Sequence, residues 1–224
     1  MSVEDKRALK IMETTAEYVD GHYKLGLPWA DDEPKLPNNL SLAHARLQQL
    51  HRKLSRDSNL HEMYTATMND YINKGYAKEV KDDTSRPERV WYLPHHPVTN
   101  ENKPGKVRVV FDCAAKYRDV SLNTKLLQGP DLMNNLVGVL LRFRQEHIAI
   151  AADVEAMFHQ VRVKDEDCDA LRFLWWPDGN LKLQPRCYKM QVHLFGATSS
   201  PSCAAYALKR TAIDNTHLFS PDVI

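Results

Sequence analysis

The order of elements in this chain of 224 residues predicts an α+β fold. Three observations carry that reading. Apolar residues recur at helical spacing through two consecutive stretches in the first third. Strand signals flank polar turns at Asn100–Gly105 and at Pro177-Asp178-Gly179-Asn180. Helices and strands come in runs rather than in strict βαβ alternation, and no glycine-rich phosphate loop or dinucleotide fingerprint is present.

Residues 1–40 read as a lead-in with one strand-like piece, His22 to Leu27, broken afterwards by Pro28, Pro34 and Pro37. Ser41 opens a helical pattern in Leu42, Ala45, Leu47, Leu50 and Leu54. Arg46, Arg52, Lys53 and Arg56 fall on its other face, either as a solvated surface or as a seat for a nucleic-acid backbone. A second helix is expected from Leu60 to Lys74, with Leu60, Tyr64, Thr67 and Tyr71 on one side and Gly75 as its C-cap.

Val90 to Leu93 reads as a strand stopped by Pro94, and Val98 as the start of another. Lys106 to Phe111 alternates as a strand does; with Val98 it frames a hairpin whose tip carries Lys103, Lys106 and Arg108. Leu132 to His147 is expected to be helical, with Leu132, Leu136, Leu140 and Phe143 on one face. Strands are then expected at Leu171–Trp176, Leu181–Gln184 and Cys187–Val192. Pro201 suits the first position of a last, alanine-rich helix from Ser200 to about Asp214, capped by Ser200.

The segment from Ile148 to Phe158 is the most informative. An almost wholly apolar run, Ile148-Ala149-Ile150-Ala151-Ala152, ends on Asp153, which predicts a buried strand with a carboxylate at its end. Such a group is costly to bury without a cation or a donor, so it either holds a hard metal such as Mg²⁺ or caps a turn. A hairpin-like continuation is expected over Phe158 to Val163.

Bulk composition bounds the rest. The chain is 43% hydrophobic with a formal charge of +1, so any affinity for nucleic acid must come from clustered rather than total charge. Cys113, Cys168, Cys187 and Cys203 form no CxxC pair, which points to reduced thiols and an intracellular setting. The charged N-terminus fits no signal peptide, and no apolar run approaches the roughly 18 residues of a membrane span. His95 and His96 lie between prolines and have no metal-ligand partner at fitting spacing, so a loop role is expected. Trp175 and Trp176 before a turn read as hairpin packing, with base stacking as the sharper alternative.

Three motifs stand in a telling order: Lys106-Val107-Arg108-Val109-Val110-Phe111-Asp112, Asp153-Val154-Glu155-Ala156-Met157-Phe158, and Phe195-Gly196-Ala197-Thr198-Ser199-Ser200-Pro201. Together they resemble the fingers arginine strand, the first palm aspartate motif and the glycine motif of reverse transcriptases. Leu93-Pro94-His95-His96-Pro97-Val98, Ser121-Leu122-Asn123, Gly129-Pro130-Asp131-Leu132, and upstream Gly26-Leu27-Pro28-Trp29 and Leu36-Pro37-Asn38-Asn39 resemble the BEL/Pao branch of long-terminal-repeat retrotransposon polyproteins. The likeness covers roughly residues 20–220.

That resemblance implies a right-handed polymerase fold, with fingers and an incomplete palm built on an antiparallel sheet. It implies boundaries at 1–40 for the lead-in, 41–147 for the fingers with the basic hairpin, and 148–224 for a partial palm. The partners implied are an RNA or DNA template with primer and a dNTP, without a membrane; the location is cytoplasmic or in a virus-like particle. Asp153 would be catalytic, sharing Mg²⁺ or Mn²⁺ with the backbone carbonyl of Val154. Arg108 would meet the triphosphate, helped by Lys106, against the plainer reading of an ordinary surface arginine. Phe158 would lie beneath the sugar and exclude a 2′-hydroxyl, or else be a core aromatic. Gly196 would let the backbone approach the incoming nucleotide.

The chain departs from the family in one respect. Reverse transcriptases carry an aromatic-x-Asp-Asp turn after the helix that follows the glycine motif, and none follows Pro201; Asp214 and Asp222 are single. Asp31-Asp32 and Asp82-Asp83 lie upstream in polar stretches and read as solvated turns. One carboxylate holds two divalent ions poorly, so the expectation is a polymerase fragment that is inactive alone. The alternatives are a retrotransposon-derived nucleic-acid-binding remnant and, third, an unrelated α+β interaction domain.

Overall fold

The computed structural model describes residues 1–81, 87–99, 105–145 and 147–218. Among the described residues the fold mixes helices with three small sheets.

The first forty residues are more ordered than a lead-in. Helix α1 (Val3–Thr15) starts on a reciprocal cap: the Ser2 hydroxyl accepts from the Asp5 N–H at 3.0 Å, and the Asp5 carboxylate accepts from the Ser2 N–H. Glu4 and Asp5 also meet the positive end of the helix dipole. Ala8 and Met12, one turn apart, are buried. Strands β1 (Glu17–Val19) and β2 (His22–Leu25) form a tight hairpin through Asp20 and Gly21, both at positive φ.

Helix α2 (Leu40–Arg56) buries Ala43, Leu47, Leu50 and Leu54, so Ala43 rather than Ala45 belongs to its apolar stripe, and Asn39 rather than Ser41 precedes its first turn. Helix α3 (Ser58–Asn73) is capped by Asp57, whose carboxylate accepts from the Leu60 N–H at 2.9 Å. It buries Leu60, Tyr64 and Met68, and Gly75 at φ +72° ends it.

Strand β3 (Ala77–Glu79) pairs antiparallel with β8 (Arg186–Met190), which pairs antiparallel with β7 (Arg172–Trp175). Strands β4 (His95–Thr99) and β5 (Val107–Phe111) make the expected hairpin; its tip, with Lys103, lies outside the described residues, as do Asp82-Asp83 and Asp222. Strand β6 (Arg162–Val163) runs parallel to β2. Val90–Leu93 contributes only a bridge, from Tyr92 to Arg172, and Leu181–Gln184 makes no strand. Helices α4 (Leu122–Lys125), α5 (Leu136–Phe143) and α6 (Ser200–Asp214) complete the set; Pro201 sits in the first turn of α6, and Ser199 rather than Ser200 precedes it.

The main core lies between α2, α3 and the β3-β8-β7 and β4-β5 sheets, around Trp91, Tyr64, Phe111, Phe173 and Trp175. A second core joins α1, β2 and α6 through Met12, Leu25, Cys203, Ala204 and Ala207. Small residues on α6 let the neighbouring backbone come close: a Cβ at Gly129 would meet the Ser202 hydroxyl at 2.5 Å.

Two buried polar groups hold these layers together. Asp167 accepts from the Leu27 N–H and the Trp29 indole N–H, each at 2.8 Å, and fastens the N-terminal stretch to the body. Burial pushes its carboxyl up, and those two bonds oppose the shift. His95 is a core side chain rather than a loop residue. Its Nε2–H donates to the Leu174 carbonyl at 2.8 Å and its Nδ1 accepts from the Tyr64 hydroxyl at 2.5 Å. Trp175 packs on the same Tyr64 and His95 rings, and with Trp176 is buried, so neither indole offers a face to a base.

The predicted strand over 148–153 is absent. Those residues take no regular structure, and Ile148 and Ile150 are 81% and 86% exposed. Phe158–Val163 forms a 3₁₀ turn, Met157–Gln160, before β6 rather than a continuous strand. Helix α5 is shorter than the expected 132–147 and buries no residue, leaving Leu136, Leu140 and Phe143 exposed. The physical reason is non-local. An apolar strand forms only where neighbours satisfy its backbone on both sides, and no described strand pairs with this one.

Asp167→Ala leaves two buried donors unpaired and is expected to cost about 2–4 kcal/mol; urea unfolding midpoints give the value. Burial pushes His95 and His193 down to about 4, and burial with the Lys74 charge does the same to His159. Their unfolded value is about 6.5, so the unfolded chain binds more protons between those limits. Stability should therefore be whole above about pH 6.5 and fall as the pH drops towards 4. Unfolding midpoints near pH 7.5 and near pH 5 read this directly, and His193→Leu should remove part of the difference.

Candidate functional site: a rim shared by three motifs

Arg108 lies mid-strand in β5, opposite Val98, and is exposed. The β5 alternation buries Val107, Val109 and Phe111 and turns Arg108 to the other face. Lys106, just before the strand, is exposed too.

The carboxyl end of β5 meets the glycine motif. Gly196 has φ +112°, a conformation that L side chains rarely adopt, and a Cβ there would fall 2.2 Å from the Phe111 carbonyl oxygen. Asn123 locks the turn: its Nδ2–H donates to the Gly196 carbonyl at 3.0 Å, and its Oδ1 accepts from the Thr198 N–H at 2.9 Å. The backbone of Asn123 donates to the Cys113 carbonyl at 3.0 Å, so one residue ties the end of β5 to the glycine turn. Gly196 itself is exposed. Sequence reasoning quoted Asn123 but gave it no role; its signal was the Ser121–Thr124 capping pattern that fixes α4 around it.

The aspartate motif reaches the same place through aromatic contact. Phe158, half-buried, packs on Phe195 with ring centroids 4.5 Å apart at 55°. His159 lies edge-on to Phe195 at 6.1 Å. The 3₁₀ turn that carries both starts after Ala156, at φ +50°. The glycine turn therefore meets the end of the Arg108 strand through the Phe111 carbonyl, and the turn of Phe158 through Phe195.

Asp153 precedes that turn and is exposed. Among the described residues its carboxylate has no hydrogen-bond or ion-pair partner, so both oxygens are open to solvent. Val154 is 45% exposed and lines a cavity of about 470 Å³. Tyr23 and Asp214 also line that cavity: the Tyr23 hydroxyl donates to Asp214 at 2.7 Å, while Arg210 pairs with the same carboxylate. Burial and that bond push the Tyr23 hydroxyl up to about 12.

The donor set suits a hard divalent cation in kind, because Asp153 and the Val154 carbonyl are both oxygen donors. It is incomplete in number: no group of three or more His, Cys, Asp or Glu side chains is placed to hold a metal among the described residues. Asp31 and Asp32 serve elsewhere, pairing with Lys125 and Arg7 and fastening the N-terminal stretch.

No family model matches the chain, and no curated protein does. Among solved structures, the chain is similar to the foamy viral protease–reverse transcriptase in complex with double-stranded DNA. The identity is 14% and the TM-score 0.48, over 71% of this chain and 24% of that one. The chain thus spans about a quarter of that protein's length. Among the described residues no helix is long and apolar enough to cross a membrane.

Gly196→Ala is expected to destabilise the chain by about 2–4 kcal/mol, through a forced backbone angle and a collision with a carbonyl that has little room to move. Asn123→Ala should cost about 1–2 kcal/mol for its two lost bonds. Thermal unfolding of both variants checks the order; equal stability of Gly196→Ala and the parent chain would contradict the described turn.

Proposed function

We propose that the chain is the fingers and part of the palm of an RNA-directed DNA polymerase of the BEL/Pao retrotransposon type. Its substrate complex would be a primer on an RNA or DNA template with an incoming dNTP. The observation that supports this reading is that motifs far apart in sequence meet at the glycine turn: the Phe111 carbonyl, at the end of the strand that carries Arg108, packs against Gly196, and Phe158 packs on Phe195.

Each residue has a role that its position supports. Arg108 presents a planar fork of N–H donors on an open strand face, suited to phosphate oxygens. Gly196 exposes backbone on the side away from Phe111, where a ligand could approach it. Phe158 places an aromatic edge beside that backbone and would reject a sugar bearing a 2′-hydroxyl by bulk. Asp153 and the Val154 carbonyl would hold one corner of a Mg²⁺ or Mn²⁺ shell. The metal would neutralise phosphate charge, the dominant need in nucleotidyl transfer. The protein groups would position the phosphates and exclude the wrong sugar.

With no cluster of three or more metal-ligating side chains among the described residues, the chain by itself is expected to bind without turning over. Purified chain supplied with Mg²⁺ or Mn²⁺ should show no primer extension above background. It should bind primer–template with an affinity that falls steeply with salt, and Arg108→Gln should flatten the log–log salt slope by about 0.9, the share of one duplex phosphate contact. Binding that ignores salt would favour an unrelated interaction domain.

A further inference from the structure

A second cationic surface is lined by none of Arg108, Phe158 or Gly196. Two adjoining cavities of about 310 and 450 Å³ share Asp165 and Gln191 and together form a groove. Lys24, Lys74 and Arg162 line the first part; Lys78, Lys81 and Lys189 line the second. The only carboxylates lining it among the described residues are Asp165 and Glu79.

Strand register makes the arrangement unusual. Lys78 stands directly opposite Lys189 in the β3–β8 pair, and Lys24 directly opposite Arg162 in the β2–β6 pair. Like charges directly opposite across strands are destabilising. Two such pairs, in two different sheets, face one groove.

Neighbouring carboxylates offset part of that repulsion. Lys24 pairs with Asp165 at 3.2 Å, Arg162 with Asp20 at 3.0 Å, Lys74 with Asp70 at 2.9 Å and Lys189 with Asp169 at 3.1 Å, while Glu79 is engaged by Arg186. Lys78 and Lys81 have no carboxylate partner among the described residues. Asp169 is also shared with Arg172, so it cannot neutralise Lys189 fully. The side chains of Lys24 and Lys189 are only 18% and 25% exposed, which weakens solvent screening of their charge. An anion lying along the groove would relieve both like-charge pairs at once.

We propose that this groove binds the sugar–phosphate backbone of a nucleic-acid strand. The cations stand in series through two joined pockets, as a repeating polyanion requires. The surface is concave, which suits a strand rather than a flat lipid face. His159 lines the first part, and its ring lies edge-on to Phe195. Strand binding in this groove requires only the cations that line it, not nucleotide binding at the rim.

The test is fluorescence anisotropy of a labelled oligodeoxythymidylate with the whole chain, across a salt series. The triple variant Lys78→Gln/Lys81→Gln/Lys189→Gln should weaken binding about tenfold or more at low salt. It should also reduce the salt slope by about 2, at roughly 0.7 per lost single-strand contact. Lys78→Glu, which faces Lys189 with an opposite charge, should weaken binding while raising the melting temperature, so loss of binding cannot be blamed on unfolding. Affinity of the triple variant within about twofold of the parent overturns the proposal. Displacement of the oligonucleotide by inorganic phosphate at equal phosphate concentration overturns it too, in favour of a site for isolated phosphate. Arg108→Gln on the same probe reports on the rim alone: an effect there with the triple variant silent removes the groove and keeps the rim, and the reverse pattern removes the rim and keeps the groove.

Discussion

The contact between Gly196 and the Phe111 carbonyl is the constraint on which the rest of the rim depends. No side chain fits at that position, and no other residue type adopts its backbone angle without strain. Because the backbone can close there, the end of the arginine strand and the glycine turn become one wall. Asn123 then fixes the wall by serving both its sides. Phe158 joins through Phe195 and brings the aspartate motif with it. A glycine that the family resemblance would reserve for nucleotide approach is thus also needed by the fold. The two demands are compatible, since Gly196 is exposed on one side and crowded on the other.

The opposite situation holds from Leu132 to Val154. Leu132 packs against the second core, but many apolar side chains beyond it cover nothing: Leu136, Val137, Leu141, Ile148 and Ile150 are all more than half exposed. A helix that is apolar all round is stable only when surrounded, and a two-sided apolar run becomes a strand only between other strands. The charge on Asp153 sits at the end of this run. Its open carboxylate follows from the same lack of neighbours that leaves the isoleucines in water.

Local signals account for most of what the sequence made legible. The stripe Leu47-Leu50-Leu54, the Gly75 stop, the β4–β5 alternation, the Pro177–Asn180 turn and the Pro201 helix start each depend on residues within a few positions of one another. The Ser2–Asp5 cap of α1 is of the same kind, but the charged residues around Ala8 and Met12 leave only a narrow apolar stripe. What stayed hidden is non-local. Burial of His95 depends on Tyr64 and on Leu174, which lie 31 and 79 residues away. The role of Asn123 depends on Gly196, 73 residues on. The strand expected at 148–153 failed for the same reason, since a run of apolar residues cannot report whether a pairing partner exists. Of the candidate site, the residue types and their order were legible; the wall that joins them was not.

The functional reading turns on the proposed position of a divalent cation, held by Asp153 beside Phe158 and Gly196. Paramagnetic broadening by Mn²⁺, read by NMR on the chain with labelled aromatic and methyl groups, tests it most directly. The account predicts broadening centred on Val154, Phe158, Phe195 and Ala197, and its loss in Asp153→Asn. Broadening that is unchanged in Asp153→Asn, or that centres on the Asp31–Asp32 turn instead, would contradict it.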